Sequence, residues 1–135
     1  IPGQLAKIVR PGGPVEFVDG GLALQAAIGA TREHAHAVVA HYAQAGVGIG
    51  DIERVEINEA FAAQVLPSAK HLDIPMDKLN VNGGSIALGH PFGMTGARIM
   101  TTLIHGLQAG DKQYGIETMF VGGGQGMAMV IERLS

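Results

Sequence analysis

The chain of 135 residues contains no cysteine. That excludes disulfides, thiolate metal sites and a cysteine nucleophile within these residues. Charge is sparse as well: 16% of the residues are charged and the formal net charge is −3. The 9 Lys and Arg residues stand singly, so no basic patch marks nucleic acid as a partner. No run approaches the roughly eighteen apolar residues of a membrane span, so no membrane partner is expected either. No charged n-region followed by an apolar h-region opens the chain, and the expected location is cytoplasmic. The first residue is Ile1 rather than Met. The chain therefore reads as a fragment or a processed product, which by itself can remove an export signal.

What is present is apolar and glycine-rich. Hydrophobic residues make up 47%, enough for one domain with its own core. The 21 glycines cluster at Gly12-Gly13, Gly20-Gly21, Gly83-Gly84 and Gly122 to Gly124. Such clusters mark tight turns or close approaches of the backbone.

Hydrophobic patterning predicts alternating strands and helices. Leu5 to Arg10 and Val15 to Val18 read as extended, and Leu22 to Ile28 fits either strand or helix. Thr31 suits the N-cap of a helix carrying Ala35, Val38, Val39 and Tyr42, which Gly46 ends as a C′ glycine. Arg54 to Ile57 reads as a strand. Glu59 to Leu72 reads as a helix that Pro67 should kink or restart. Leu79 to Val81 reads as extended, and a loop runs from Gly83 to His90-Pro91. A helix over Gly93 to Gln108 should bury Ala97, Met100, Leu103, Ile104 and Leu107. Tyr114 to Val121 and Gly126 to Arg133 read as an antiparallel pair joined by Gly122 to Gln125. The pattern is that of an α/β layered domain.

Three segments stand out for chemistry. Asn58 lies at a strand-to-helix junction, where α/β proteins place their sites. Its amide can donate to a water or a carbonyl, although taken alone such an Asn more often caps the next helix. His90 is held between Gly89 and Pro91 ahead of a helix. It has the side chain best suited to proton exchange near neutral pH, although a lone turn histidine is more often only hydrogen-bonded. The run from Gly122 to Gly124 can offer bare N–H groups to an oxyanion or form a plain hairpin. Its glycines, like those from Gly84 to Gly89, make neither a P-loop nor a dinucleotide fingerprint.

The remaining histidines and methionines read as structural. His34, His36 and His41 share one helix without the third ligand or the spacing a zinc site needs, so no metal is expected. His71 and His105 should be exposed, and Met94, Met100, Met119, Met127 and Met129 should fill the core.

In this order and spacing the segments closely resemble the C-terminal motifs of the thiolase family. They are Asn58-Glu59-Ala60-Phe61, then Gly83 to Arg98 with Gly89-His90-Pro91 at its centre, then Gly122-Gly123-Gly124-Gln125-Gly126. The resemblance runs from about Gly46 to Ser135 and is weak over residues 1–45. It implies the C-terminal half of a fold with two similar halves stacked in five layers, with a central mixed sheet and helices packed on it. It also implies acyl transfer between CoA thioesters: thiolysis of a 3-ketoacyl-CoA, or the reverse Claisen condensation. The family's nucleophilic cysteine belongs to the N-terminal half, so this half alone is expected to be inactive. That half is an expected partner, as are an acyl-CoA or CoA substrate and further copies in a homo-oligomer. No cofactor is expected beyond the CoA thioester itself.

The resemblance also assigns roles. The histidine matched by His90 activates the cysteine and helps bind the thioester oxygen. The asparagine matched by Asn58 holds a water that completes this oxyanion site. The glycine matched by Gly122 lends its N–H to a second one. The family usually has a further cysteine two residues before that glycine, as the acid/base at the α-carbon. Here the position is Phe120, whose ring exchanges no proton, so the role is vacant. Phe120 and the missing cysteines keep a second expectation open: a degenerate, non-catalytic thiolase-like binding or assembly module.

Overall fold

The computed structural model describes residues 38–40, 42–122 and 125–134. The expectations for Leu5 to Arg10, Val15 to Val18, Leu22 to Ile28, Thr31, Ala35, His34, His36 and His41 fall outside them.

Residues 38–40 and 42–45 are helical. Gly46 ends this segment at φ +69°, and the Val47 N–H reaches back to the Tyr42 carbonyl at 3.2 Å. This is the 6→1 bond of a Schellman cap, which glycine accommodates at least cost. Strand β1 (Arg54–Ile57) follows, then helices α1 (Ala62–His71), α2 (Ser85–Leu88) and α3 (Thr95–Ala109). Strands β2 (Tyr114–Val121) and β3 (Gln125–Glu132) close the described chain. The sheet order is β1-β2-β3. β1 pairs with β2 in parallel, Arg54 opposite Gly115 through Ile57 opposite Thr118. β2 pairs with β3 in antiparallel fashion, Tyr114 opposite Glu132 through Val121 opposite Gln125. A mixed sheet with helices packed on it is the α/β class read from the sequence.

The core sits on the α1 side of the sheet. Val55, Ile57 and Ile116 join Val65, Ala69 and Leu72 of α1, with Val38, Tyr42, Ile52, Ile74 and Leu79. α1 starts later than expected because Phe61 is extended (φ −147°, ψ 136°). The helix continues through Pro67, so this residue neither starts nor ends it. Buried Ser68 adds a hydrogen bond to the Gln64 carbonyl at 2.7 Å in the same turn.

The segment after α1 departs from expectation. Leu79 makes one parallel bridge to Val55, and Asn80 then turns the chain at φ +45°. Asn80 still completes the edge of β1, through its side chain. Its Oδ1 accepts from the Ile57 N–H at 2.9 Å and its Nδ2 donates to the Ile57 carbonyl at 3.0 Å. A side-chain amide thus takes the place of a peptide in the ladder. The loop expected after Gly83 contains the short α2.

α3 is rotated relative to the pattern. Its buried residues are Thr95, Ile99, Leu103, Gly106 and Leu107. Of the expected face only Leu103 and Leu107 are buried; Met100 is half-buried, and Ala97 and Ile104 are exposed. The reason lies opposite, at Gly115. A Cβ there would stand 2.7 Å from Leu103 Cδ1 and 3.2 Å from Leu107 Cδ1, so the bare backbone draws these two leucines onto the sheet. Gly115→Ala is therefore expected to destabilise the fold by about 1–3 kcal/mol through overpacking, read as a lower denaturant midpoint.

The methionines do not fill the core. Met94, Met127 and Met129 are exposed, and Met100 and Met119 are half-buried. His71 and His105 are exposed, as expected.

Candidate active site

The residues singled out in the sequence meet at the C-terminal end of β1. Asn58, His90, Phe120 and Gly122 line one open cleft of about 460 Å³, together with Phe92, Thr95 and Met119. Each arrives by a different route. Asn58 is the first residue past β1, and its N–H extends the ladder to the Thr118 carbonyl at 3.0 Å. His90 is presented by a turn in which Gly89 adopts φ +99°, open to glycine and costly for other residues. Phe120 lies near the end of β2, and Gly122 opens the β2–β3 turn at φ +59°.

Asn58 does not cap α1. The N-cap is Phe61, and it makes no side-chain capping bond. Asn58 is 2% exposed, and both ends of its amide turn to the following segment. Its Oδ1 accepts from Ser85 Oγ at 2.5 Å. Its Nδ2 lies 3.5 Å from His90 Nε2, long for a direct hydrogen bond. The other ring nitrogen, His90 Nδ1, is 2.6 Å from Thr95 Oγ1. Thr95 Oγ1 in turn donates to the Pro91 carbonyl at 3.1 Å. Phe92 meets the imidazole edge to face, with centroids 5.7 Å apart.

Several residues in this arrangement drew no separate reading from the sequence. Glu59 clamps the loop: its Oε1 accepts from Asn80 Nδ2 at 3.0 Å and its Oε2 from the Ile86 N–H at 2.8 Å. Gly84 leaves room for that carboxylate, and a Cβ there would collide with it. Arg98 Nη2 donates to Ser85 Oγ at 3.1 Å. Ser85 and Thr95 are buried hydroxyls, 7% and 3% exposed. The legible signal for Thr95 was a hydroxyl at the head of a helix one turn past the histidine, where burial demands a partner.

Two carboxyls stand opposite each other on β1 and β2, Glu56 buried and Glu117 half-buried. Burial pushes Glu56 up to about 7; the Arg98 charge opposes this, and Glu59 and Glu117 add to it. Burial likewise pushes Glu117 up to about 7. The sign of the pH effect follows. A carboxyl raised from 4.5 to about 7 binds its proton more tightly in the folded state. The stability it contributes is fully present below pH 4.5 and is lost as pH rises through about 7. Each pKa unit corresponds to about 1.4 kcal/mol. Glu56→Gln, which keeps the shape without the charge, is expected to flatten this decline. Thermal melts across the pH range should place the variant about 3 kcal/mol above the parent at pH 8.

Among the described residues no group of three or more His, Asp or Glu side chains is arranged to hold a metal ion, and no helix is long and apolar enough to cross a membrane.

Comparison with known proteins adds an independent line. The family model described as the C-terminal domain of thiolase matches residues 20–133. It thus reaches back past Gly46, where the resemblance read from the sequence begins. The chain is 58% identical over 91 residues to an acetyl-CoA acetyltransferase of Escherichia coli K12, covering 67% of this chain and 23% of that protein. It is 55% identical over 94 residues to a 3-ketoacyl-CoA thiolase of Aeromonas salmonicida, covering 67% and 24%. The chain thus matches about a quarter of the length of these relatives. Among solved structures, the Bacillus anthracis acetyl-CoA acetyltransferase superposes with a TM-score of 0.74 at 42% identity, over 85% of this chain and 28% of that one. Human mitochondrial 3-ketoacyl-CoA thiolase gives 0.70 at 42% identity, over 73% and 25%.

Proposed function

Because this chain belongs to the thiolase family through its C-terminal domain, we propose that it supplies half of an acyl-transfer site working on CoA thioesters. The reaction is thiolysis of a 3-ketoacyl-CoA or the reverse condensation. The observation that carries this reading is the meeting of Asn58 and His90 at 3.5 Å, in a cleft that Gly122 and Phe120 also line.

In this reading His90 Nε2 takes the proton of a cysteine thiol contributed by an N-terminal thiolase half. In condensation the thiolate attacks the thioester carbonyl, and CoA leaves as the acyl group moves to sulfur. In thiolysis it attacks the 3-keto carbon, the C2–C3 bond breaks, and the acetyl-CoA enolate leaves, taking a proton at its α-carbon. The charge on the carbonyl oxygen is met by His90 and by a water held on the Asn58 amide. The Gly122 N–H serves a second oxyanion at the other substrate. Donors aimed at developing charge commonly supply the largest share of such catalysis. The reaction also needs a proton moved at the α-carbon, and the family's cysteine for that step is matched here by Phe120. The CoA thioester is substrate, and no further cofactor is invoked. A cytoplasmic location, a role in fatty-acid metabolism and assembly as a homo-oligomer complete the proposal.

Phe120 favours a second reading, a thiolase-like module that binds or assembles without turnover. Calorimetric titration of an acyl-CoA into the chain assembled with an N-terminal thiolase half tests the common ground of catalysis. Saturable binding that weakens in Asn58→Ala is expected; absence of binding for every acyl-CoA tried would remove the acyl-transfer reading.

A further inference from the structure

The proposed chemistry needs His90 to keep a free lone pair on Nε2, and on that reading rests a deeper assignment. The hydrogen-bond chain that runs through His90 ends, on both sides, in a group of fixed polarity. At one end Arg98 only donates, and its Nη2 gives a proton to Ser85 Oγ at 3.1 Å. Ser85 then directs its own single proton to the remaining acceptor beside it, Asn58 Oδ1, at 2.5 Å. That contact settles which end of the Asn58 amide is oxygen, so the NH₂ group faces His90 Nε2. At the other end the Pro91 carbonyl only accepts. It takes the Thr95 hydroxyl proton at 3.1 Å, so Thr95 Oγ1 accepts from His90 Nδ1–H at 2.6 Å. Both ends demand the same imidazole: proton on Nδ1, lone pair on Nε2.

We propose that Ser85 and Arg98 are positioning residues, which lock the Asn58 amide by a one-way hydrogen-bond chain and so, with Thr95, hold His90 in the Nδ1–H tautomer. The opposite arrangement conflicts with the surroundings. A flipped Asn58 would turn its oxygen to Nε2 and call for a proton there. Ser85, buried and already accepting from Arg98, would lose the acceptor for its own proton. Thr95 would have to give up Pro91 to donate to Nδ1. Unmet polar groups in buried positions are costly, so the chain behaves as a unit. Ser85 and Arg98 touch no reacting atom in this account; they act through Asn58.

The test reads the tautomer directly. The chain assembled with an N-terminal thiolase half is labelled with ring-¹⁵N histidine, and long-range ¹H–¹⁵N spectra are recorded with the imidazole neutral. The resonance of His90 is assigned by its loss in His90→Gln. Unliganded protein should show Nδ1 protonated and Nε2 bare. Ser85→Ala should admit a substantial share of the Nε2–H form, and Ser85→Thr should restore the parent pattern. Arg98→Met should shift the balance in the same direction, and it keeps the test open should Ser85→Ala not fold. Protonated Nε2 in the parent, or an unchanged tautomer in both folded Ser85→Ala and Arg98→Met, overturns the proposal. Acyl-CoA binding, measured separately by calorimetry, judges the acyl-transfer reading. Loss of binding with the tautomer pattern intact would sink that reading and leave the hydrogen-bond chain standing.

Discussion

Phe120→Cys, in the chain assembled with an N-terminal thiolase half, is expected to raise thiolysis of a 3-ketoacyl-CoA by about 10²- to 10⁴-fold, the usual contribution of a positioned acid/base. The expectation starts from the chemistry of the side chains. A phenyl ring has no proton to exchange, whereas a thiol does so readily. The position is also right: Phe120 lines the same cleft as Asn58, His90 and Gly122, two residues before a glycine at φ +59°. Cysteine is much smaller than phenylalanine, so the change opens the cleft as it restores the group. Its cross-strand neighbour is Gly126, which gives the smaller side chain no bulk to lean on. A modest loss of stability from lost burial is expected beside the gain in rate, and initial rates with melting temperatures separate the two.

His90→Ala in the Phe120→Cys background is expected to remove about 10²- to 10⁴-fold of that rate. The loss should fall on kcat more than on KM, because the imidazole acts on a proton and a developing charge rather than on the resting substrate. His90 is exposed to the cleft, and its partners are Thr95, Asn58 and the Phe92 edge. None of these belongs to the core around Ile57 and Ile116. Melting should therefore change little. Steady-state kinetics with both parameters resolved check the split. An equal loss in both variants' stability and rate would mean that His90 serves the loop rather than the chemistry.

Much of this was legible in the chain. The ends of β1 and β2 were read to the residue, since strong punctuation flanks both: Gly50-Asp51 before β1 and the glycine run after β2. The four site residues were read from motif order, and the fold does bring them to one cleft. Other features turn on contacts that no local pattern encodes. α3 carries two apolar stripes, and periodicity does not choose between them; Gly115, on a strand later in the sequence, does. The methionines read as core because they are apolar, yet Met100, Met119, Met127 and Met129 line a shallow apolar groove beside the cleft. Asn58 looked like a cap because a helix follows it. The helix begins only at Ala62, and a serine distant in sequence, Ser85, takes the amide instead. Asn80 read as strand because its neighbours are apolar; its N–H does pair with the Val55 carbonyl at 2.8 Å, but the backbone then turns and the side chain takes over the pairing at Ile57.

The most direct measurement of the central claim compares three proteins, each assembled with an N-terminal thiolase half, for release of acyl-CoA from a 3-ketoacyl-CoA and CoA. The parent should be slow, Phe120→Cys should turn over, and Phe120→Cys with His90→Ala should fall back towards the parent. A folded Phe120→Cys protein with no measurable thiolysis would contradict the acyl-transfer account and leave the non-catalytic module in its place.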